Sequence, residues 1–537
     1  MRKQKLALLG LAMIFCQQGY SQAKKGSVLN RGGVAPALTP AATRAATRAA
    51  TLAMKAAPGP KQRLSEVASL MGNGNYEKAA QLLYVLMRRQ EMAPFATRMR
   101  YLLGVAMTEM KYYQVAAFQF VHVIKSNDSQ YLKPALERLS VAADYLGDET
   151  LLNYALSKIQ VADFPAAYQD ILFFRLGEIK LKNGEFDEAL KSFAKVGAQS
   201  KYRDQARFKL GLTLLEAQRP LDAIKVYLSM LEQKSNAKVT DVNRVSTILA
   251  LARSYYQAKK WDESIEFYRK VPRDTEMWHD AMFEVSWAYL QSAKFRSSLS
   301  NFQTLHSTYY EEFYLPESLL LRGIIYLYIC KYDEMEKVLD LFEKSYGKVR
   351  STIAELINDT KDPIFFFEEL ERAAQYRKNH GKINFKIPFN AAKHILDEGD
   401  VHRSMEYLRL LMIEKNRLEK STFGKTAIGQ YSLKIIYNRL KNSKQTIGEL
   451  IKDHLIIMNA ELGDLAEQGS FARYEMINGR KEQLKKKIAG RSATQQIDED
   501  RQRSFYIQNG YEYWPFKGEY WLDELGSYQY LGKQSCE

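Results

Sequence analysis

The apolar positions of this chain recur in one template. Large and aromatic residues run at helical spacing with a small residue among them, stop at a short polar break, and resume. The clearest copy reads Phe173-Phe174-Arg175-Leu176-Gly177, then Asn183-Gly184-Glu185-Phe186-Asp187-Glu188-Ala189, then Phe193 and Val196. Leu210-Gly211, Ala223, Tyr227 and Met230 repeat it, as do Leu251-Ala252, Tyr255, Trp261, Ser264, Tyr268 and Val271. Val285-Ser286, Tyr289, Phe295, Ser298, Phe302 and Leu305 make another copy, and Gly323, Tyr326, Tyr332, Leu339 and Phe342 one more. Upstream, Leu103-Gly104, Tyr113, Ala116, Phe120 and Val123 fit, as do Gly74, Tyr76, Ala79 and Leu83. The units begin near residues 60, 97, 170, 204, 245, 279 and 316; the later spacings of 34, 41, 34 and 37 are each the length of one helix pair.

Two apolar stripes separated by Gly, Lys or Asn predict a helical hairpin. Gly104, Gly177 and Gly211 sit where its two helices approach closely, and Ala79, Ala116, Ala189 and Ala223 are expected on the second helix facing them. A hairpin of this size cannot bury its stripe alone, so neighbours must stack. The pattern resembles the tetratricopeptide repeat. It covers about residues 60–345, with a degenerate unit near 134–165 and a further copy at Ala392, Ile395, Gly399, Asp400, Ser404 and Leu408. The proline that often closes each unit in that family is mostly absent, so the repeats are divergent. The fold class implied is all-α: an α-solenoid of stacked hairpins.

That resemblance also implies a groove, because in the family the first helix of each unit lines the concave face. Carrying the register over gives Phe208, Leu212 and Leu215, then Leu249, Arg253 and Tyr256, then Phe283, Trp287 and Leu290, then Leu320, Ile324 and Leu327. Arg253 is the one cation in the set. Such a surface either takes an apolar segment, from a partner or from the chain's own tail, or packs on itself.

Residues 346–490 stay helical but less regular. Ile447, Ile451, Leu455, Met458, Leu462 and Leu465 fall on one helix face. Gly448, Gly463, Gly469 and Gly479 argue against a coiled coil, so the region is expected to cap the solenoid. Residues 491–537 form a tail of different character. Ten aromatics lie between Phe505 and Tyr530, where the chain average of 12% would place about three. Tyr511, Tyr513, Trp514, Phe516, Tyr520 and Trp521 are its candidate surface. It either folds back as a cap or presents an adhesive face to a partner or to sugar rings. The stretch Gly510-Tyr511-Glu512-Tyr513-Trp514-Pro515-Phe516-Lys517-Gly518-Glu519-Tyr520-Trp521 is similar to the C-terminal signature of envelope repeat proteins in gliding and predatory Gram-negative bacteria, some of them linked to gliding-motility machinery.

Charge changes the picture only once it is located. The net charge is +16, and nine of those positive charges fall in residues 1–60, which contain no Asp or Glu. The basicity therefore belongs to an N-terminal segment and gives no nucleic-acid face. Arg2, Lys3 and Lys5 precede the apolar run Leu6 to Phe15, and Ser21-Gln22-Ala23 offers small residues at a cleavage site. This predicts a signal peptide over residues 1–23, cleaved after Ala23, and a periplasmic or secreted protein. Phe15 stands where a lipobox needs a small residue, which argues against an outer-membrane lipid anchor on Cys16. Residues 24–60, rich in Ala, Thr and Arg, read as a disordered linker. No later segment has the length of a transmembrane span. The three cysteines are too few for a disulfide scaffold, and Cys330 and Cys536 carry no spacing argument for pairing.

Catalytic motifs are not found. Gly424-Lys425-Thr426 lacks the earlier glycine of a P-loop, since Glu419 stands there. His394 and His402 flank the acidic turn Asp397-Glu398-Gly399-Asp400, which reads as a solvated turn before it reads as a metal site. No cofactor is expected. The expectation is a non-catalytic interaction scaffold of a cell-envelope assembly that binds protein partners, with gliding-motility machinery implied by the tail resemblance. The alternative is a peptidoglycan-binding or wall-remodelling accessory protein.

Overall fold

The computed structural model describes residues 59–126, 128–147, 166–233, 238, 241–310, 312–376, 383–488 and 519–530. The expected signal peptide, nearly all of the linker and much of the tail lie outside the described residues. Among the described residues there are nineteen α-helices, a few 3₁₀ turns and no strand.

Seven hairpins carry the repeat. They are α1 (Pro60–Gly72) with α2 (Tyr76–Leu86), α3 (Ala96–Glu109) with α4 (Tyr113–Lys125), and, after α5 (Ser129–Leu146), α6 (Ala166–Lys182) with α7 (Phe186–Ala194). Then follow α8 (Arg203–Glu216) with α9 (Pro220–Gln233), α10 (Val242–Gln257) with α11 (Trp261–Tyr268), α12 (Trp278–Gln291) with α13 (Phe295–Leu305), and α14 (Pro316–Tyr328) with α15 (Tyr332–Asp359). The two helices of each hairpin pack together, and from α6 to α15 each hairpin also packs on the next. Of the degenerate unit near 134–165, only the α5 part is described.

Every hairpin turns the same way. One residue between the helices takes a left-handed conformation: Gly74, Lys111, Gly184, Gln218, Lys259, Ala293 and Cys330, with φ from 55° to 77°. The next backbone N–H reaches the carbonyl five residues back, as in Asn75 to Leu70, Lys260 to Tyr255 and Lys331 to Tyr326, at 2.8–2.9 Å. This closes the first helix by a Schellman motif and reverses the chain in three residues.

The close approach expected at the small residues is present, with a different partner. Ala79, Ala116, Ala189 and Ala223 are fully buried. It is the aromatic ring one turn further on that lies over each glycine, however. A Cβ built on Gly104, Gly177 or Gly211 would meet Phe120 at 2.6 Å, Phe193 at 2.6 Å or Tyr227 at 2.5 Å. Glycine is required there because a flat ring needs the space that a methyl would take.

Beyond the repeats the helices lengthen: α16 (Pro363–Tyr376), α17 (Phe389–Asp397), α18 (Gly399–Lys420) and α19 (Ala427–Ile488). The last has 62 residues and is about 90 Å long at 1.5 Å per residue. Its glycines do not interrupt it. They mark crossings: a Cβ on Gly448 would stand 1.8 Å from the Pro363 carbonyl oxygen, and one on Gly479 would stand 2.5 Å from the Tyr332 hydroxyl. Ile447, Ile451, Leu455, Met458, Leu462 and Leu465 are all buried, as the sequence spacing requires. One apolar cluster runs from Leu64 to Leu172 and from Trp287 to Met476, while smaller clusters hold the middle repeats.

Candidate interaction surfaces

The expected groove residues divide by burial. Leu249, Trp287 and Leu290 are in the core, whereas Phe208, Leu212, Tyr256, Phe283 and Ile324 are half-buried. Phe208 lies 5.6 Å from the Tyr227 ring, and its carbonyl accepts from the Tyr227 hydroxyl at 3.2 Å. Tyr256 meets Trp261 edge-on at 5.0 Å. Leu320 and Leu327 are buried, and Leu320 approaches Gly469 of α19. The indole Nε1 of Trp287 is buried without an acceptor.

Arg253 spans two repeats. Its Nε donates to Glu284 Oε2 at 2.8 Å and its terminal nitrogen to Oε1 at 2.5 Å, while the Tyr268 hydroxyl donates to Oε2 at 2.9 Å. The carboxylate holds the Arg253 guanidinium more firmly charged than usual. Burial, then the same carboxylate, pushes the Tyr268 phenol up. The cation expected to face a partner is thus neutralised by the next first helix.

Part of the tail is docked. Leu525 is buried, the Gly526 N–H donates to Thr304 Oγ1 at 2.8 Å, and the Tyr530 N–H donates to Ser300 Oγ at 2.9 Å. Gly526 has φ 82° and lies so close to Trp278 that a Cβ would reach its ring at 2.9 Å. The Tyr530 ring meets Tyr326 edge-on at 6.4 Å. Tyr520 is half-buried and its hydroxyl donates to the His306 carbonyl at 3.5 Å, whereas Trp521 is exposed. Tyr511, Tyr513, Trp514 and Phe516 lie outside the described residues. Beneath this segment, Arg322 donates to His306 Nδ1 at 3.1 Å, so Nε2 carries the proton toward Ser318 Oγ at 2.9 Å. Burial and the Arg322 charge keep that imidazole neutral.

A third contact was not legible locally. Glu414 of α18 accepts from the Gln114 and Val115 N–H groups at 3.0 and 3.3 Å, at the N-terminus of α4. The Tyr407 hydroxyl donates to Gln114 Oε1 at 2.8 Å, and Arg439 Nε donates to Tyr407 at 2.6 Å. Tyr112 stacks on Phe423 at 6.0 Å, and Tyr84 meets Tyr431 at 5.3 Å. The C-terminal helices therefore close onto the N-terminal repeats. Burial pushes the Glu414 carboxyl up to about 7 against the pull of the helix N–H groups. The signal available in the sequence was its register: Tyr407, Leu411, Glu414 and Leu418 share one buried face, on which an acid must find donors.

The acidic turn splits its histidines. His394 stands 3.5 Å from Glu398, His402 is exposed, and Asp400 pairs with His454 at 3.1 Å. Among the described residues no group of three or more His, Cys, Asp or Glu is placed to hold a metal ion, and no helix is long and apolar enough to cross a membrane.

Stacked helical hairpins with a shared turn geometry define the class as an α-solenoid. The sequence model of the tetratricopeptide repeat matches residues 174–238, over the hairpins α6–α7 and α8–α9. Among solved structures it is similar to a tetratricopeptide repeat protein from Parabacteroides merdae, at 15% identity and a TM-score of 0.25, over 53% of this chain and 93% of that one. It is also similar to the apo form of RapI, at 12% identity and a TM-score of 0.34, over 67% of this chain and 99% of that one. A Rap protein complexed with competence and sporulation factor matches at 14% identity and a TM-score of 0.28, over 73% and 99% of the two chains. No curated protein matches the sequence significantly.

Proposed function

We propose that this protein is a periplasmic scaffold of a cell-envelope assembly, holding a protein partner on its repeats. The observation that carries the reading is the run of half-buried apolar side chains on successive first helices, Phe208, Leu212, Tyr256 and Phe283. Protein binding is what this class of fold does. The envelope location is supported by the three-part signal sequence and fits a disulfide-bonded Cys330, since such bonds persist in oxidising compartments. The tail's likeness to envelope repeat proteins is the support for a place in gliding-motility machinery.

Capture from envelope extracts, run beside sedimentation with peptidoglycan, tests the reading. A specific protein partner lost in Phe283→Asp, with helical content unchanged, is the expected result. Co-sedimentation with peptidoglycan and no protein partner would favour the wall-binding alternative instead. N-terminal sequencing tests the location: the mature chain should begin at Lys24, and a lipid-modified start at Cys16 would refute that cleavage.

A further inference from the structure

We propose that Cys330 and Cys536 form a disulfide that staples the C-terminal tail across α12, α13 and α14, so that the protein carries a covalently latched segment on its own repeats. Cys330 is disulfide-bonded. The chain has two other cysteines, Cys16 and Cys536, both outside the described residues. The docked segment decides between them. Its last described residue, Tyr530, donates to Ser300 and packs on Tyr326, one helical turn before Cys330. That turn is about 6 Å along the axis. Six residues separate Tyr530 from Cys536 and reach up to about 20 Å. The tail is thus delivered to the cysteine by contacts that do not involve it.

The site suits an exchangeable bond. Cys330 is the left-handed residue of its hairpin turn, half-buried at the edge of the stack, and the Tyr332 hydroxyl donates to its sulfur at 3.3 Å. Closure is a thiol–disulfide exchange. One cysteine thiolate attacks a sulfur of an external disulfide, giving a mixed disulfide and releasing one thiol. The second cysteine then displaces the other. Two protons and two electrons leave the protein, and the external disulfide is reduced to two thiols. The noncovalent part of the latch joins the apolar contacts of Leu525 and Tyr530 to two hydrogen bonds, in which the main chain at Gly526 and Tyr530 donates to hydroxyls of α13. These bonds can exchange with water once the staple is cut.

Peptide mapping of the unreduced full chain, with hydrogen exchange of residues 519–530, tests this. A Cys330–Cys536 linked peptide that disappears on reduction is expected. Exchange at Gly526 and Tyr530 should be at least about tenfold faster in the reduced protein and in Cys536→Ser, with residues 203–270 unchanged. A free thiol at Cys330, or a link to Cys16, would overturn the assignment. Equal tail protection in Cys536→Ser and the parent would overturn the latch even if the bond is found. Thr304→Val is the control with both cysteines intact: it should loosen the reduced tail further without abolishing the linked peptide.

Discussion

At the scale of the residue, two kinds of position govern each hairpin. Gly177 leaves room for the Phe193 ring, so Gly177→Leu overpacks the interface and should cost about 1–3 kcal/mol or more. Because repeats couple to their neighbours, hydrogen exchange should show lost protection centred on residues 134–243. Unchanged protection there would mean the ring moves aside. The left-handed turn residue is the second kind. Gly74 and Gly184 take that conformation freely, but Lys111, Gln218, Lys259, Ala293 and Cys330 take it with a Cβ. The strain is about 1–2 kcal/mol for an L-residue, partly offset by the greater freedom of unfolded glycine. Ala293→Gly should therefore raise stability by up to about 1 kcal/mol, read from urea midpoints. Gly184→Ala should lower it by a similar amount.

At the scale of the element, the repeat helices were legible because each carries its own copy of one pattern. The unit starts near 170, 204, 245, 279 and 316 fall within a few residues of the helix starts Ala166, Arg203, Val242, Trp278 and Pro316. What glycine does inside α19 was not legible. A glycine weakens a helix locally, and only the position of Pro363 or Tyr332 in space shows that it admits a neighbour. Trp287 is the matching case on the groove side. Its register fits an inward-facing position, but it is buried in the large cluster that α14 also joins, which no local pattern records. Asp at this position would bury a charge, so Phe283 is the better probe of binding. Ending the chain after residue 426 should strip protection from α14 to α16, whose faces α19 covers. It should leave residues 203–270 protected as in the parent, since their clusters are local. Uniform loss of protection across both regions would show that the stack behaves as one unit.

At the scale of the whole molecule, a buried acid joins α18 to the first repeats. The Glu414 carboxyl has a folded value of about 7 against an ordinary value near 4.5, so the folded chain holds its proton more tightly than the unfolded chain does. A raised value contributes stability that is fully present below about 4.5 and is lost as pH rises through about 7. Glu317, pushed up to about 7 by burial and by Glu461, acts in the same direction. Stability should fall between pH 5 and pH 8, by about 1–3 kcal/mol for Glu414 alone. Glu414→Gln should flatten that dependence in urea titrations, and an unchanged slope would remove Glu414 as its source. The donors to Glu414 lie 300 residues earlier, a pairing that no local pattern in the sequence records.

The reach of α19 also sets an order of events during synthesis. The middle repeats contain everything their clusters require and can fold as they emerge. The first repeats and α14 to α16 belong to a core that also includes Met458, Leu462 and Met476. At about 5–20 residues per second, the interval from the end of α14 to the end of α19 lasts roughly 10–30 s. For that time the parts of this core already made lack the long helix that covers them. The first repeats and the C-terminal helices complete their shared core together, and the last long helix to be made determines when.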